Sequence, residues 1–139
     1  MSSLGSQDVA ADFELLLANG ITHILNVSFD VPNYFENHFT YLHCPLLDDE
    51  KFDLTSFLDG CLKFIEDALS SGGSVFVHCN AGISRSVAVA IAYLMHAKRI
   101  PFEDAFQHIR ACRPRAQPNA GFIAQLQQIE FKPRMKEHC

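Results

Sequence analysis

From Ser74 to Met95 the chain reads SVFVHCNAGISRSVAVAIAYLM. Ser74–His78 is short, rich in β-branched and aromatic residues, and preceded by Gly72-Gly73, which predicts a buried strand after a turn. Asn80–Arg85 is a loop of small residues. Ser86–Ala97 is apolar almost all round, the composition of a helix packed inside a core. A buried strand that runs through a short glycine-containing loop into a buried helix is an α/β unit, and it sets the expectation for the rest of the chain.

Outward from it, the hydrophobic period switches repeatedly between strand and helix. Thr55–Leu69 is an amphipathic helix with Leu58, Cys61, Leu62, Ile65 and Leu69 on one stripe. Ile21–Ser28 and Phe39–Leu46 read as strands, separated by a loop over Asp30–Asn37 that contains Pro32. Leu47–Asp53 is an acidic loop. A first helix is predicted from an N-cap at Asp8 to Asn19-Gly20, with Val9, Phe13, Leu16 and Leu17 facing the core. Two further helices are expected over Phe102–Cys112 and Asn119–Glu130, separated by Arg113-Pro114-Arg115. The sum is one α/β domain over residues 1–139, long enough to bury its own core.

Composition removes several classes of function. With 48% hydrophobic and 19% charged residues the chain has the make-up of an ordinary globular protein, and its net charge of −5 gives no reason to expect nucleic-acid binding. The longest apolar run, Val87–Met95, is too short to span a bilayer, so no membrane partner is expected. Met1–Asp8 is short and polar, unlike a signal peptide. Cys44, Cys61, Cys79, Cys112 and Cys139 are odd in number and contain no Cys-x-x-Cys pair, which fits reduced thiols in the cytosol or nucleus. The histidines form no ligand pattern.

Cys79 stands at the carboxyl end of a buried strand, and five residues separate it from Arg85 at the mouth of a helix. Ligands of open α/β sheets bind at the carboxyl ends of the strands. A loop opening a helix turns several backbone N–H groups into one concave space suited to a phosphate dianion, and Gly82 permits the tight turn. The planar fork of Arg85 can grip two phosphate oxygens. The same positive surroundings favour a thiolate at Cys79, the nucleophilic form that attacks phosphorus. A leaving oxygen needs a proton, and Asp48 or Asp49 in the acidic loop can supply it. Ser86 can donate a hydrogen bond to the departing sulfur. The scheme uses no metal and no cofactor.

Each of these residues has an ordinary reading when taken alone. A cysteine ending a strand is usually core, an arginine a surface or capping residue, paired aspartates a solvated loop. It is their joint placement around one loop that carries the chemistry. Cys44, Cys61 and Cys112 are assigned to packing and Cys139 to an exposed terminus; Arg113 and Arg115 are assigned to a solvated turn, with help in binding an anionic substrate as the alternative.

The stretch His78-Cys79-Asn80-Ala81-Gly82-Ile83-Ser84-Arg85-Ser86 resembles the signature loop of dual-specificity protein phosphatases. The likeness extends to Leu4-Gly5-Ser6, Ile21–Val27, Ala92-Tyr93-Leu94-Met95, Arg113-Pro114, Pro118-Asn119, Gly121-Phe122 and Gln125-Leu126, and so covers roughly Leu4 to Glu130. It implies a central, mostly parallel sheet with helices on both faces, and hydrolysis of phosphotyrosine and phosphoserine or phosphothreonine in protein substrates. It makes Cys79 the nucleophile, Arg85 the phosphate clamp, Ser86 the hydroxyl that assists thiolate release, and Asn80, Ala81, Gly82, Ile83 and Ser84 the phosphate cradle. It makes Asp48 the general acid, with Asp49 adjacent as the alternative, and His78 and Asn119 supports of the loop. It also implies a small member of the family, without the amino-terminal targeting region.

Three rival functions share these residues. A phosphoprotein-binding pseudoenzyme would keep the cradle and lose the nucleophile, yet Cys79 is present. A phosphatase for inositides, RNA ends or sugar phosphates would favour extra cations in the loop, and none lies between Cys79 and Arg85. A redox sensor would favour a second cysteine within the loop, which this sequence lacks.

Overall fold

A computed structural model describes residues 3–129 of the chain. Cys139 and Glu130 lie outside the described residues, as do Met1 and Ser2; the last helix, expected to run to Glu130, already ends at Gln128, where Ile129 turns extended. The elements are β1 (Ser3–Gly5), α1 (Gln7–Ala10), α2 (Phe13–Ala18), β2 (His23–Asn26), β3 (Thr40–His43), α3 (Thr55–Ser70), β4 (Val75–His78), α4 (Arg85–Lys98), α5 (Phe102–Cys112) and α6 (Ala120–Gln128).

The four strands form one sheet in the order β1-β4-β2-β3, and every neighbouring pair is parallel. Leu25 pairs with Val77, and Val77 in turn with Leu4. All strands therefore end on the same side of the sheet, and four loops leave from that side. Successive side chains along a strand point to opposite faces. Accordingly Leu25, Val75 and Val77 enter a large core with α3, α4, α5 and α6. Ile24 and Phe76 enter a smaller one with Ala10, Leu16, Ile21 and Phe39. Helices thus cover both faces of a parallel sheet, the α/β arrangement expected from the sequence.

The helix α4 is buried along Ser86–Ala92 and again at Leu94 and Met95, and it packs on α3, α5, α6, β1 and β4. Its immersion explains its lack of a polar face. In α3 the buried stripe is Leu58, Cys61, Leu62, Ile65 and Ala68, with Leu69 only half-buried. Ahead of α3, Asp53 accepts hydrogen bonds from the hydroxyls of Thr55 (2.7 Å) and Ser56. These bonds hold the Asp53 carboxyl below its usual range.

Two expectations for the first helix need correction. It is broken into α1 and α2, and Asp12, not Asp8, caps the second piece by accepting from the Leu15 N–H at 3.1 Å. Starting α2 at Phe13 sets that ring against Phe35 (5.2 Å between centroids) and Phe39 (5.8 Å), a cluster that one continuous helix would misdirect. Leu17 is 53% exposed and does not join the core, which Leu16 fills. β2 and β3 are shorter at both ends than the strands expected over Ile21–Ser28 and Phe39–Leu46, whereas β4 only starts one residue late and ends at His78 as expected. Among the described residues no helix is long and apolar enough to cross a membrane.

Candidate active site

Loops from all four strand ends converge on residues 79–85. From the carboxyl end of β1, the Gln7 N–H donates to the Asn80 carbonyl at 2.8 Å. Arg113, just past α5, donates through Nε to the Gly82 carbonyl at 2.6 Å and through Nη2 to the Ala81 carbonyl at 3.2 Å. The Gln117 N–H donates to the Ile83 carbonyl at 2.9 Å, and the Ala88 N–H to the Ser84 carbonyl at 2.8 Å. Every carbonyl from Asn80 to Ser84 is therefore engaged by the surrounding protein. In a planar trans peptide the N–H points opposite to the C=O. Pinning these carbonyls outward turns the following N–H groups toward the concave side, which is how a loop of neutral residues becomes an anion cradle.

Gly82 is the pivot of this loop. Its φ is +72°, and a Cβ there would stand 2.7 Å from the Gly5 carbonyl oxygen and 2.5 Å from Nη2 of Arg113. Only glycine meets both the left-handed backbone and the close approach.

The cavity over the cradle has a volume of about 300 Å³ and is lined by Asp48, Cys79, Asn80, Ala81, Ile83, Ser84, Arg85, Gln117, Pro118 and Asn119. Cys79 is only 2% exposed, with its Sγ 3.3 Å from the Ser86 hydroxyl, itself buried at the start of α4. Arg85 donates through Nη1 to the Leu46 carbonyl at 3.1 Å and through Nη2 to Oδ1 of Asn80 at 2.6 Å. His78 is buried, stacked on Phe76 at 5.7 Å, and its Nδ1 lies 3.2 Å from the Cys79 carbonyl. Burial pushes its pKa down to about 4, against a smaller upward pull from that carbonyl. The ring is therefore neutral near pH 7, and because a carbonyl only accepts, Nδ1 carries the proton.

The structure distinguishes the two aspartates by position. Oδ1 of Asp48 accepts from the Ser84 hydroxyl at 2.7 Å and from Nδ2 of Asn119 at 2.9 Å, and Asp48 lines the cavity. Asp49 accepts from the Lys51 N–H at 2.9 Å, in a local turn, and is not among the residues lining the cavity. Asn119 also caps α6 by accepting from the Phe122 N–H at 2.8 Å, and its own N–H donates to Ser84 Oγ at 3.0 Å. Ser84 thus belongs to the acid loop's anchorage as well as to the cradle.

Several residues shape the site in ways that the sequence does not assign. Arg113, assigned to a solvated turn, is half-buried with its fork against the loop carbonyls. Asn26 is fully buried and knots the loop after β2: its Nδ2 donates to the Val31 carbonyl (2.7 Å), and its Oδ1 accepts from the Ser28 hydroxyl (2.6 Å). That loop carries Asp30, whose Oδ1 accepts from Nδ2 of Asn80 at 3.4 Å. Gly121 packs so tightly on the acid loop that a Cβ would fall 1.9 Å from the Glu50 carbonyl oxygen. Gly121→Ala is therefore expected to lower stability by about 1–3 kcal/mol, the range for overpacking a tight contact. Urea unfolding measures it, and a value within ~0.5 kcal/mol of the parent would show that the contact yields freely. Apart from the Asn26 knot, which is local, these couplings have no local sequence signal, because each joins segments that are distant along the chain. Among the described residues no group of three or more His, Cys, Asp or Glu is placed to hold a metal ion.

The sequence pattern of the dual specificity phosphatase catalytic domain matches residues 3–132. Human dual specificity protein phosphatase 1 is 40% identical over 136 residues, which are 98% of this chain and 37% of that protein. Mouse dual specificity protein phosphatase 19 is 44% identical over 123 residues, 88% of this chain and 56% of that protein. This chain thus spans about a third to a half of the length of these relatives. The crystal structure of a putative mouse dual specificity phosphatase complexed with zinc tungstate superposes with a TM-score of 0.89, at 37% identity, covering 98% of this chain and 86% of that one.

Proposed function

This chain belongs to the dual specificity phosphatase family, and from that premise we propose that it hydrolyses phosphotyrosine and phosphoserine or phosphothreonine in proteins through a cysteinyl-phosphate intermediate. The observation that carries the reading is the cradle. Outward-pinned carbonyls from Asn80 to Ser84 surround a buried thiol, with an arginine fork on one side and a tethered carboxylate on the other.

In the first half-reaction, the Cys79 thiolate attacks phosphorus in line with the leaving oxygen. The S–P bond forms as the P–O bond breaks, and Asp48 gives its proton to the departing oxygen. The loop N–H groups and Arg85 bind the three peripheral oxygens, whose charge they stabilise as it redistributes. In the second half-reaction, the Asp48 carboxylate takes a proton from water. The new O–P bond forms, the S–P bond breaks, and the Ser86 hydroxyl donates to the sulfur as it regains negative charge. His78 and Asn119 act from outside the reacting atoms, His78 on the Cys79 carbonyl and Asn119 on Asp48.

A singly phosphorylated side chain is the favoured substrate. Residues 80–84 contain no cation, and the nearby Arg113 spends its fork on the loop carbonyls. The tungstate in the mouse relative's crystal is a phosphate-like oxyanion, which supports an oxyanion site in this fold. We place the activity in the cytosol or nucleus, where its thiol stays reduced.

The test is phosphate release, in the presence of a chelator, from phosphotyrosine and phosphothreonine peptides and from inositol and sugar phosphates. Release from both peptide classes, with the small phosphates at least tenfold slower in kcat/KM, is expected. Peptide binding without release would make the protein a phosphopeptide-binding module, and preferential release from inositol phosphates would overturn the protein-phosphatase reading.

A further inference from the structure

Arg85 must meet the phosphate with its fork already oriented, because an arginine side chain carries about 2 kcal/mol of rotamer entropy that binding would otherwise have to remove. Two contacts orient it before any ligand arrives. The first is a backbone acceptor, the Leu46 carbonyl at 3.1 Å from Nη1. The second is a side chain, Oδ1 of Asn80, at 2.6 Å from Nη2. One contact fixes a point on the guanidinium, whereas two fix the orientation of its plane.

The Asn80 amide is itself held in only one sense. A guanidinium has donors alone, so Oδ1 must face it. Nδ2 then faces the Asp30 carboxylate, an acceptor, at 3.4 Å. Asp30 stands on the loop after β2, whose shape is set by the buried Asn26 and Ser28. A chain of polar contacts thus runs from the end of β2, through Asp30 and Asn80, to the phosphate clamp.

We propose that the Asn80 side chain is a positioning residue, which presets the Arg85 guanidinium to grip phosphate and is held in register by Asp30. This rests on the phosphatase reading and adds to the backbone role of Asn80 in the cradle a separate one for its side chain. The chemistry explains the residue type. Leucine has nearly the same shape and no acceptor. Aspartate would accept from Arg85, yet it would set one more negative charge beside the thiolate and the incoming dianion, and beside the Asp30 carboxylate. A neutral amide supplies an acceptor to the clamp and a donor to Asp30 without repelling the ligand.

The test uses tungstate binding by calorimetry, which does not require turnover, together with KM and kcat for an aryl phosphate. Asn80→Leu is expected to weaken tungstate binding about tenfold, the usual effect of losing one charge-assisted hydrogen bond. It should raise KM similarly, because both read the phosphate grip. Asn80→Asp should weaken binding more than Asn80→Leu, since repulsion is added to any loss of geometry. Asp30→Asn should weaken it two- to threefold. Alkylation of Cys79 by iodoacetamide should fall less than tungstate binding in Asn80→Leu, since that variant leaves the loop amides and Ser86 in place and releases only Arg85. A general loosening of the loop would lower both alike. Should Asn80→Leu not fold, Asn80→Ala repeats the measurement.

Tungstate affinity and KM within twofold of wild type in Asn80→Leu would overturn the proposal, as would Asn80→Asp binding as tightly as wild type. An equal loss of tungstate binding and of alkylation rate would assign Asn80 to loop stability and overturn it too. Wild-type protein that neither binds tungstate nor turns over would sink the phosphatase reading along with it. Turnover by wild type with an unaffected Asn80→Leu would sink this proposal alone.

Discussion

Cys79→Ser is expected to lower kcat for an aryl phosphate at least about 10⁴-fold, with phosphopeptide binding kept within a few-fold of wild type. The separation of the two effects follows from where the sulfur sits. Cys79 is buried at the floor of the cradle, and its Sγ contacts the Ser86 hydroxyl. A serine hydroxyl fits that space and keeps the contact. It does not ionise near neutral pH, so no anion is present to attack phosphorus. The groups that hold the phosphate belong to other residues: the amides turned inward by Gln7, Arg113 and Gln117, and the fork of Arg85. Rates from stopped assays and affinities from fluorescence anisotropy on the same preparation give both numbers. A Cys79→Ser protein that retained a tenth of the wild-type rate would remove the cysteinyl-phosphate mechanism. A variant that lost binding as well would mean that the sulfur organises the cradle.

The sequence made the central unit legible because its signals there are local. A β-branched run after Gly72-Gly73 and an all-apolar run after Arg85 each leave one option for burial, and β4 and α4 occupy those spans. The helix over Phe102–Cys112 was legible to the residue, since Pro101 and Arg113-Pro114 mark its limits. Near the amino terminus the signals compete. Asp8 and Asp12 are both good N-caps, and the choice falls to Asp12 through the contacts of Phe13 with Phe35 and Phe39, more than twenty residues away. The same limit governs the site. Cys79, Arg85 and Ser86 share one loop and its helix, and their spacing can be read directly. Arg113 bonds carbonyls about thirty residues back, Asp30 reaches Asn80 across fifty, and Gly121 meets Glu50 across seventy. Such pairings are made by the parallel sheet, which brings every strand's outgoing loop to one side. Nothing in a single segment records them.

The adjacent aspartates show how geometry turns an open choice into a quantitative expectation. Asp48→Asn is expected to lower kcat about 10²–10³-fold for a phosphate ester with a poor leaving group. It should change the rate only a few-fold for an activated aryl ester, whose oxygen leaves without a proton. Asp49→Asn should stay within twofold for both. The difference lies in how each carboxylate is held. Asp48 is fixed by the Ser84 hydroxyl and the Asn119 amide on one oxygen, and it lines the same cavity as the thiol. Asp49 turns back on the Lys51 N–H. Asparagine at position 48 can keep an oxygen toward Ser84 and Asn119, so the loop stays in place while the proton is lost. A rate loss that grows as the leaving group becomes more basic therefore reports proton transfer, whereas an equal loss for every ester reports a displaced loop. Uniform loss in Asp48→Asn, or the graded pattern in Asp49→Asn, would remove Asp48 as the acid. The graded pattern matters most for phosphoserine and phosphothreonine. Their alkoxides are far more basic than the phenolate of tyrosine, so hydrolysis of both ester classes in one cavity depends on a carboxyl group held as Asp48 is.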